Sequence, residues 1–355
     1  MSTLPPYGEY ATGQEAWLPP APPPRRRSAR GRIIVSLVVL AVVGAGALAV
    51  ITNKQYISDQ WTVWHYDASS VVTGYENRAT MTDHGRFLFQ ASTPVISAAA
   101  KFNAVCGNTE EGSGVLGCYT SNDKQITLFD VTDPRLDGLE EVVASHEMLH
   151  AAWDRMSLDE QNRLGTLLDA EAKKLSGDAE FTARMAVYDR TEPGERTNEL
   201  HSIIGTEIAD LSPTLETYYR QYFSDRKALV ALHVASNAVF VELTAKSDAL
   251  VAELDALNAS MEADGATYNS GYDQLNADIS AFNARADSGG YATQEEFDRD
   301  RAALISRQAE LDALYAKIQA QEATFAAKKA ELAELDAQAA DLNTAINIQP
   351  RTTSP

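Results

Sequence analysis

His146 and His150 stand four residues apart, with Glu147 between them, in the run Ser145-His146-Glu147-Met148-Leu149-His150. On a helix that spacing sends both imidazoles from one face, where they can bind a single Zn²⁺. A glutamate beside the first histidine is then placed to act as general base on a metal-bound water. The pair is an incomplete ligand set, because catalytic zinc takes three protein ligands and leaves a position for water.

The element that must carry the pair is legible around it. Leu139 to Ser145 leads in without a break, and Val142, Val143, Leu149, Ala152 and Trp153 make an apolar face at helical spacing. Asp133-Pro134 and Gly138 mark a turn before this helix. Upstream, Lys124 to Val131 alternates like a half-buried strand. Strand, short turn and H-E-x-x-H helix in this order resemble the zincin metallopeptidases. The resemblance implies that the strand is an edge strand beside the cleft, where it pairs with an extended peptide substrate.

The metzincin continuation is absent, since no histidine follows His150 until His201, and the inverted H-x-x-E-H form is absent too. That leaves the gluzincin pattern, with a glutamate from a later helix as third ligand. Thr197 to Glu207 is the best segment for it: Asn198-Glu199 resembles the thermolysin-like N-E-x-x-x-D segment, with Ser202 one position away from the expected aspartate. The resemblance makes Glu199 the third ligand, with Glu207, two turns later, as the alternative. His201 reads either as a hydrogen-bonded histidine behind the site or as a substitute ligand or oxyanion donor. Tyr188, Tyr218, Tyr219 and Tyr222 offer the same service as donors, although most such tyrosines pack. His65, His84 and His233 lack metal spacing and read as ordinary histidines.

The first 24 residues hold seven prolines and no Lys or Arg, a composition that cannot bury enough apolar area to fold. Arg25, Arg26, Arg27, Arg30 and Arg32 follow, and then 19 uncharged residues, Ile33 to Ile51, long enough to cross a bilayer core. Positive residues stay on the cytoplasmic side, so the N-terminus is expected inside and the C-terminal domain outside, at the cell membrane, as a single-pass protein. A signal peptide cleaved after Ala47-Leu48-Ala49 is the alternative, but the apolar run is longer than the usual h-region. The two cysteines, Cys106 and Cys118, bracket a Gly-rich loop beyond the span, where an exported domain would form a disulfide worth roughly 2–3 kcal/mol.

Strand-like stretches, Arg86 to Gln90 the clearest, precede helical ones such as Pro213 to Phe223, which argues for an α+β domain of ~170 residues. From about Lys227 the composition turns to Ala, Glu, Asp, Leu and Gln. Leu250, Leu254, Leu257 and Met261 open a four-three apolar repeat, and Phe297, Leu304, Leu311, Ile318, Phe325 and Leu332 recur every seven residues. Asp287-Ser288-Gly289-Gly290 breaks the pattern and Thr293 to Glu296 reads as a capping box that restarts it. Two such helices across a Gly turn predict an antiparallel coiled-coil hairpin. The predicted layout is a disordered cytoplasmic segment 1–32, a transmembrane helix 33–51, a zincin-like α+β catalytic domain 52–226, a coiled-coil hairpin 227–346 and a tail 347–355.

A net charge of −20 argues against nucleic acid or anionic lipid as a partner of the exported part, and no P-loop, G-x-G-x-x-G or C-x-x-C is present. The function implied is a membrane-anchored, exported zinc metallopeptidase, with His146, His150 and Glu199 as ligands and Glu147 as base, acting on a peptide or protein substrate. Two other readings share the same residues. One is a zinc amidase acting on cell-wall peptides. The other is a coiled-coil scaffold, self-associating or partner-binding, whose zinc helix is structural or vestigial.

Overall fold

The structure, a computed structural model, describes residues 29–106, 116–191 and 194–346. The expectations for the Pro-rich segment, the arginines at 25–27, most of the Gly-rich loop and the tail fall outside the described residues. Met1–Ile57 and Ser58–Pro355 are two separate compact units. In the first, α1 (Ala29–Thr52) is one continuous helix whose described side chains, among them Leu40, Val42, Val43 and Leu48, are exposed. α2 (Lys54–His65) carries the chain from the first unit into the second.

The second unit opens with α3 (Ser70–Arg78) and α4 (Asp83–Ala91), followed by β1 (Val95–Ser97), α5 (Ala99–Cys106), β2 (Gly117–Thr120) and β3 (Gln125–Phe129). A 3-10 turn at Pro134–Leu136 leads into α6 (Leu139–Asp154), then α7 (Leu158–Lys174), α8 (Ala179–Thr191), α9 (Arg196–Glu207) and α10 (Pro213–Tyr219). Two long helices end it, α11 (Arg226–Asp287) and α12 (Gln294–Ala345). β3 lies in the middle of the sheet, parallel to β1 (Val95 opposite Thr127) and antiparallel to β2 (Cys118 opposite Thr127).

α6 is the hub. Acidic Glu140 and Glu141 sit in its first turn, where they complement the helix dipole, and Arg78 meets the buried Glu141 at 2.9 Å. Ala144, Met148, Leu149 and Ala151 are fully buried, between α9 on one side and β2 and β3 on another. α9 approaches closely because Gly205 has no side chain: a Cβ there would lie 2.6 Å from Leu149 Cδ1 and 2.7 Å from Tyr219 Cε1.

The expectation of an α+β zincin-like domain followed by a separate coiled-coil hairpin is corrected on two grounds. Among the described residues the fold is mostly helical, and its strands number only three, four and five residues. Arg86 to Gln90, expected as a strand, lies in α4, which Thr82 caps by accepting from Gly85 N–H and which buries Leu88 and Phe89. Five residues of mixed polarity fit either period, and the cap decided for helix. In addition, α11 begins inside the core: Leu229 and Val230 are buried, and the Arg226 guanidinium donates to Glu216 and to the carbonyls of Ile208 and Ala209.

α11 and α12 run antiparallel, linked by Arg307 to Asp278, Lys317 to Asp264 (2.7 Å) and Lys328 to Glu253. Thr293 accepts from Glu296 N–H, while the Glu296 carboxylate turns to Ala292 N–H and Arg285, so only half of the expected capping box is made. At the other end Leu342 and Ile346 pack with Leu136, Val239, Phe240 and Leu243, closing the hairpin onto the domain. By length and composition alone α11 passes as a membrane span, yet its first turns are tied into the main core.

Candidate metal centre

His146 and His150 leave α6 on one face, as their spacing requires, with ring centroids 4.7 Å apart. α9 crosses that face and brings Glu199 to it. Nε2 of His150 lies 3.5 Å from Glu199 Oε1, and Nε2 of His146 lies 3.6 Å from Glu199 Oε2. Among the described residues these three are the group of candidate metal ligands, with one ligand atom from each inside a mutual separation of 4.8 Å.

The separations test whether an ion fits. They are too long for good N–H···O hydrogen bonds. With metal–ligand bonds near 2.1 Å, two ligands of one tetrahedral zinc stand about 3.4 Å apart, close to the separation of each histidine from its nearer Glu199 oxygen. Glu199 Oε2 is buried and makes no hydrogen bond among the described residues, an arrangement that a cation would complete. Burial opposes ionisation of Glu199, but His150 and His146 facing it outweigh that cost and hold its pKa below the usual carboxylate value.

The histidine orientation is built as well. Nδ1–H of His150 donates to Oδ1 of Asn198 at 2.9 Å, with Ser202 Oγ 3.4 Å away, which leaves Nε2 as the ligand atom. In the sequence Asn198 stands only as part of a resemblance; in the fold its side-chain oxygen is what holds the proton on His150 Nδ1.

Glu147 is buried and runs against the sheet. A Cβ added to Gly117 would stand 2.7 Å from Glu147 Cγ and 2.8 Å from Oε1, so the glycine is what lets β2 pass beside the carboxylate. Sequence reasoning missed Gly117, although a glycine inside a strand is a known mark of close backbone approach. The expected edge strand is also corrected: Gln125–Phe129 is central, and the edge beside Glu147 is β2, because β1 occupies the far side of β3. Cys106 and Cys118 are joined, and the bridge ties the end of α5 to β2.

The alternates lie elsewhere. Glu207 pairs with Arg184 and stands 3.8 Å from His233 Nε2. His201 is fully buried among Trp153, Tyr218, Tyr219 and Tyr222. Tyr218 Oη lies 2.8 Å from its Nε2, and Tyr219 donates to its backbone carbonyl at 2.7 Å. Burial first, and then the neighbouring His150 and His146, push the His201 pKa down to about 3, so the ring is neutral. Burial raises the Tyr218 and Tyr222 hydroxyls, the latter to about 12. Tyr188 packs at the edge of the main core, His65 bonds the Trp61 carbonyl, and His84 stacks on Tyr222.

Comparison of the chain with protein-family models, with curated proteins and with solved structures finds no match.

Proposed function

We propose that this chain is a membrane-anchored, exported zinc-dependent peptidase, with a gluzincin-type ligand set carried on a mostly helical scaffold. The observation that carries the reading is the convergence of His146, His150 and Glu199, with a buried Glu147 next to His146 in sequence. Three protein ligands, the number found among the described residues, suit a catalytic ion, since structural zinc is normally closed by four. That favours an enzyme over a scaffold with a structural metal.

His146, His150 and Glu199 would hold the ion, with Asn198 orienting His150. Zinc, when bound, supplies a Lewis acid that polarises a carbonyl and brings the pKa of a water toward about 7. Glu147 takes the proton of the attacking water on its carboxylate and passes it to the leaving amine. Among the described residues no strand pairs with the outer edge of β2, next to Glu147, so its backbone groups can meet an extended peptide, which supports a peptide substrate. The arginines ahead of the uncharged stretch, the continuous α1 and the disulfide beyond it support an anchored domain outside the membrane.

The test is metal content and peptide hydrolysis of the full chain and its variants. Glu147→Gln keeps the metal and loses hydrolysis by about 10²–10⁴-fold, the range of a general base. His146→Ala, His150→Ala and Glu199→Ala lose the metal. A Glu147→Gln chain as active as its parent would end the proposal.

A further inference from the structure

α2 carries an outward face that the domain leaves uncovered. Trp61 is 63% and Trp64 72% exposed, and Ile57 precedes them at helical steps of four and three. Two of the four tryptophans of the chain thus follow Thr52, the end of α1, within twelve residues, both facing solvent. Indoles are costly to leave in water, and their amphipathic rings favour the headgroup level of a bilayer.

The charge of the helix points the same way. Asp59 is the only acid in α2, and it is turned inward, buried, against Arg155 at 2.9 and 3.0 Å. In a chain of net charge −20, the tryptophan face therefore presents no carboxylate from its own helix, while Lys54 and His65 stand at its ends. With its one acid turned inward, the face escapes the repulsion that a net charge of −20 otherwise sets against a headgroup layer. The chain enters it two residues after the end of α1, and this continuity selects a lipid surface over a protein partner.

We infer that the Trp61–Trp64 face of α2 rests in the interfacial layer of the bilayer and holds the metal-centre domain against the membrane surface. The inference builds on the reading of α1 as a membrane span. Its consequence for the site follows from Arg155, which caps the C-terminus of α6, holds Asp59, and also donates to Tyr119 of β2 at 3.3 Å. One guanidinium thereby joins the membrane-facing helix to both elements that frame the metal centre. The substrate it fits is a polypeptide presented close to the membrane surface.

The test uses the full chain in vesicles of phosphatidylcholine and phosphatidylglycerol, with the disulfide intact and a nitroxide at one introduced cysteine. Trp61→Cys and Trp64→Cys report α2, Leu158→Cys reports an exposed position at the start of α7, and Ala45→Cys reports α1. Circular dichroism melting confirms that each labelled chain folds. The expected result is a several-fold higher ratio of oxygen to nickel-chelate collisions at 61 and 64 than at 158, below that at 45. If 61 and 64 match 158 while 45 is in lipid, the docking is overturned and the anchor stands. If 45 is aqueous too, the anchor falls and takes the docking with it. Labels at 61 and 64 shielded from both reagents would assign the face to a protein and overturn the inference.

Discussion

Asn198 and His150 are joined by a hydrogen bond of 2.9 Å, from the imidazole Nδ1–H to the amide Oδ1, and Asn198 is the residue immediately before Glu199. One turn of α9 therefore supplies a candidate ligand and orients another. Asn198→Ala is expected to lower zinc affinity by about 10–100-fold, the usual cost of losing such a support, without changing the number of zinc ions bound at saturation. Competition titration against a chromogenic chelator measures it, and unchanged affinity would show that Ser202 suffices.

Gly117→Ala puts a methyl group where the Glu147 side chain lies, 2.7 Å from Cγ. Hydrolysis is expected to fall at least as far as a misplaced general base implies, about 10²-fold, while zinc content stays at the parental level. Parallel metal analysis and peptide assays separate this from a loss of fold.

Metal removal is expected to destabilise the domain. Without an ion, the buried Glu199 carboxylate has only two imidazoles against it. Chelation should lower the melting temperature, and zinc at 100 times its Kd should restore about 2.7 kcal/mol by mass action. A melting temperature indifferent to chelator and zinc would contradict a bound metal.

A chain ending at Asp225 is expected not to fold, although the composition changes near that point. It would lack Leu229 and Val230 from the core and the Arg226 guanidinium that satisfies the carbonyls of Ile208 and Ala209. Arg226→Ala alone should cost about 3–5 kcal/mol, the penalty for breaking a buried ion pair. Denaturant unfolding of the substituted full chain gives the number directly.

Reducing the Cys106–Cys118 bridge, or replacing both cysteines with serine, should cost about 2–3 kcal/mol by loop-closure entropy. Because the bridge is anchored on β2, beside Gly117, peptide KM is expected to rise more than kcat falls. The full chain under reducing and oxidising conditions provides the comparison.

Local patterns were enough wherever the physics was local. The four-residue step from His146 to His150 fixes a shared face on any helix, and the apolar residues around it are enough to call that helix. The heptads beyond Leu250 likewise determine two long helices, and Gly289-Gly290 the break between them. What tertiary structure alone decided lies between elements. Arg86 to Gln90 fits two periods, and a cap with core burial made it helical. β3 became central instead of an edge because β1 pairs with its other side, a contact across some 30 residues that alternation cannot encode. The choice among Glu199, His201 and Glu207 rests on how α9 crosses α6, and Gly205 permits that crossing. All three residues share one helix and carry plausible donors. The packing turns the first toward His146 and His150, seats the second among tyrosines and gives the third to Arg184, because each buried polar group takes the partner within its reach.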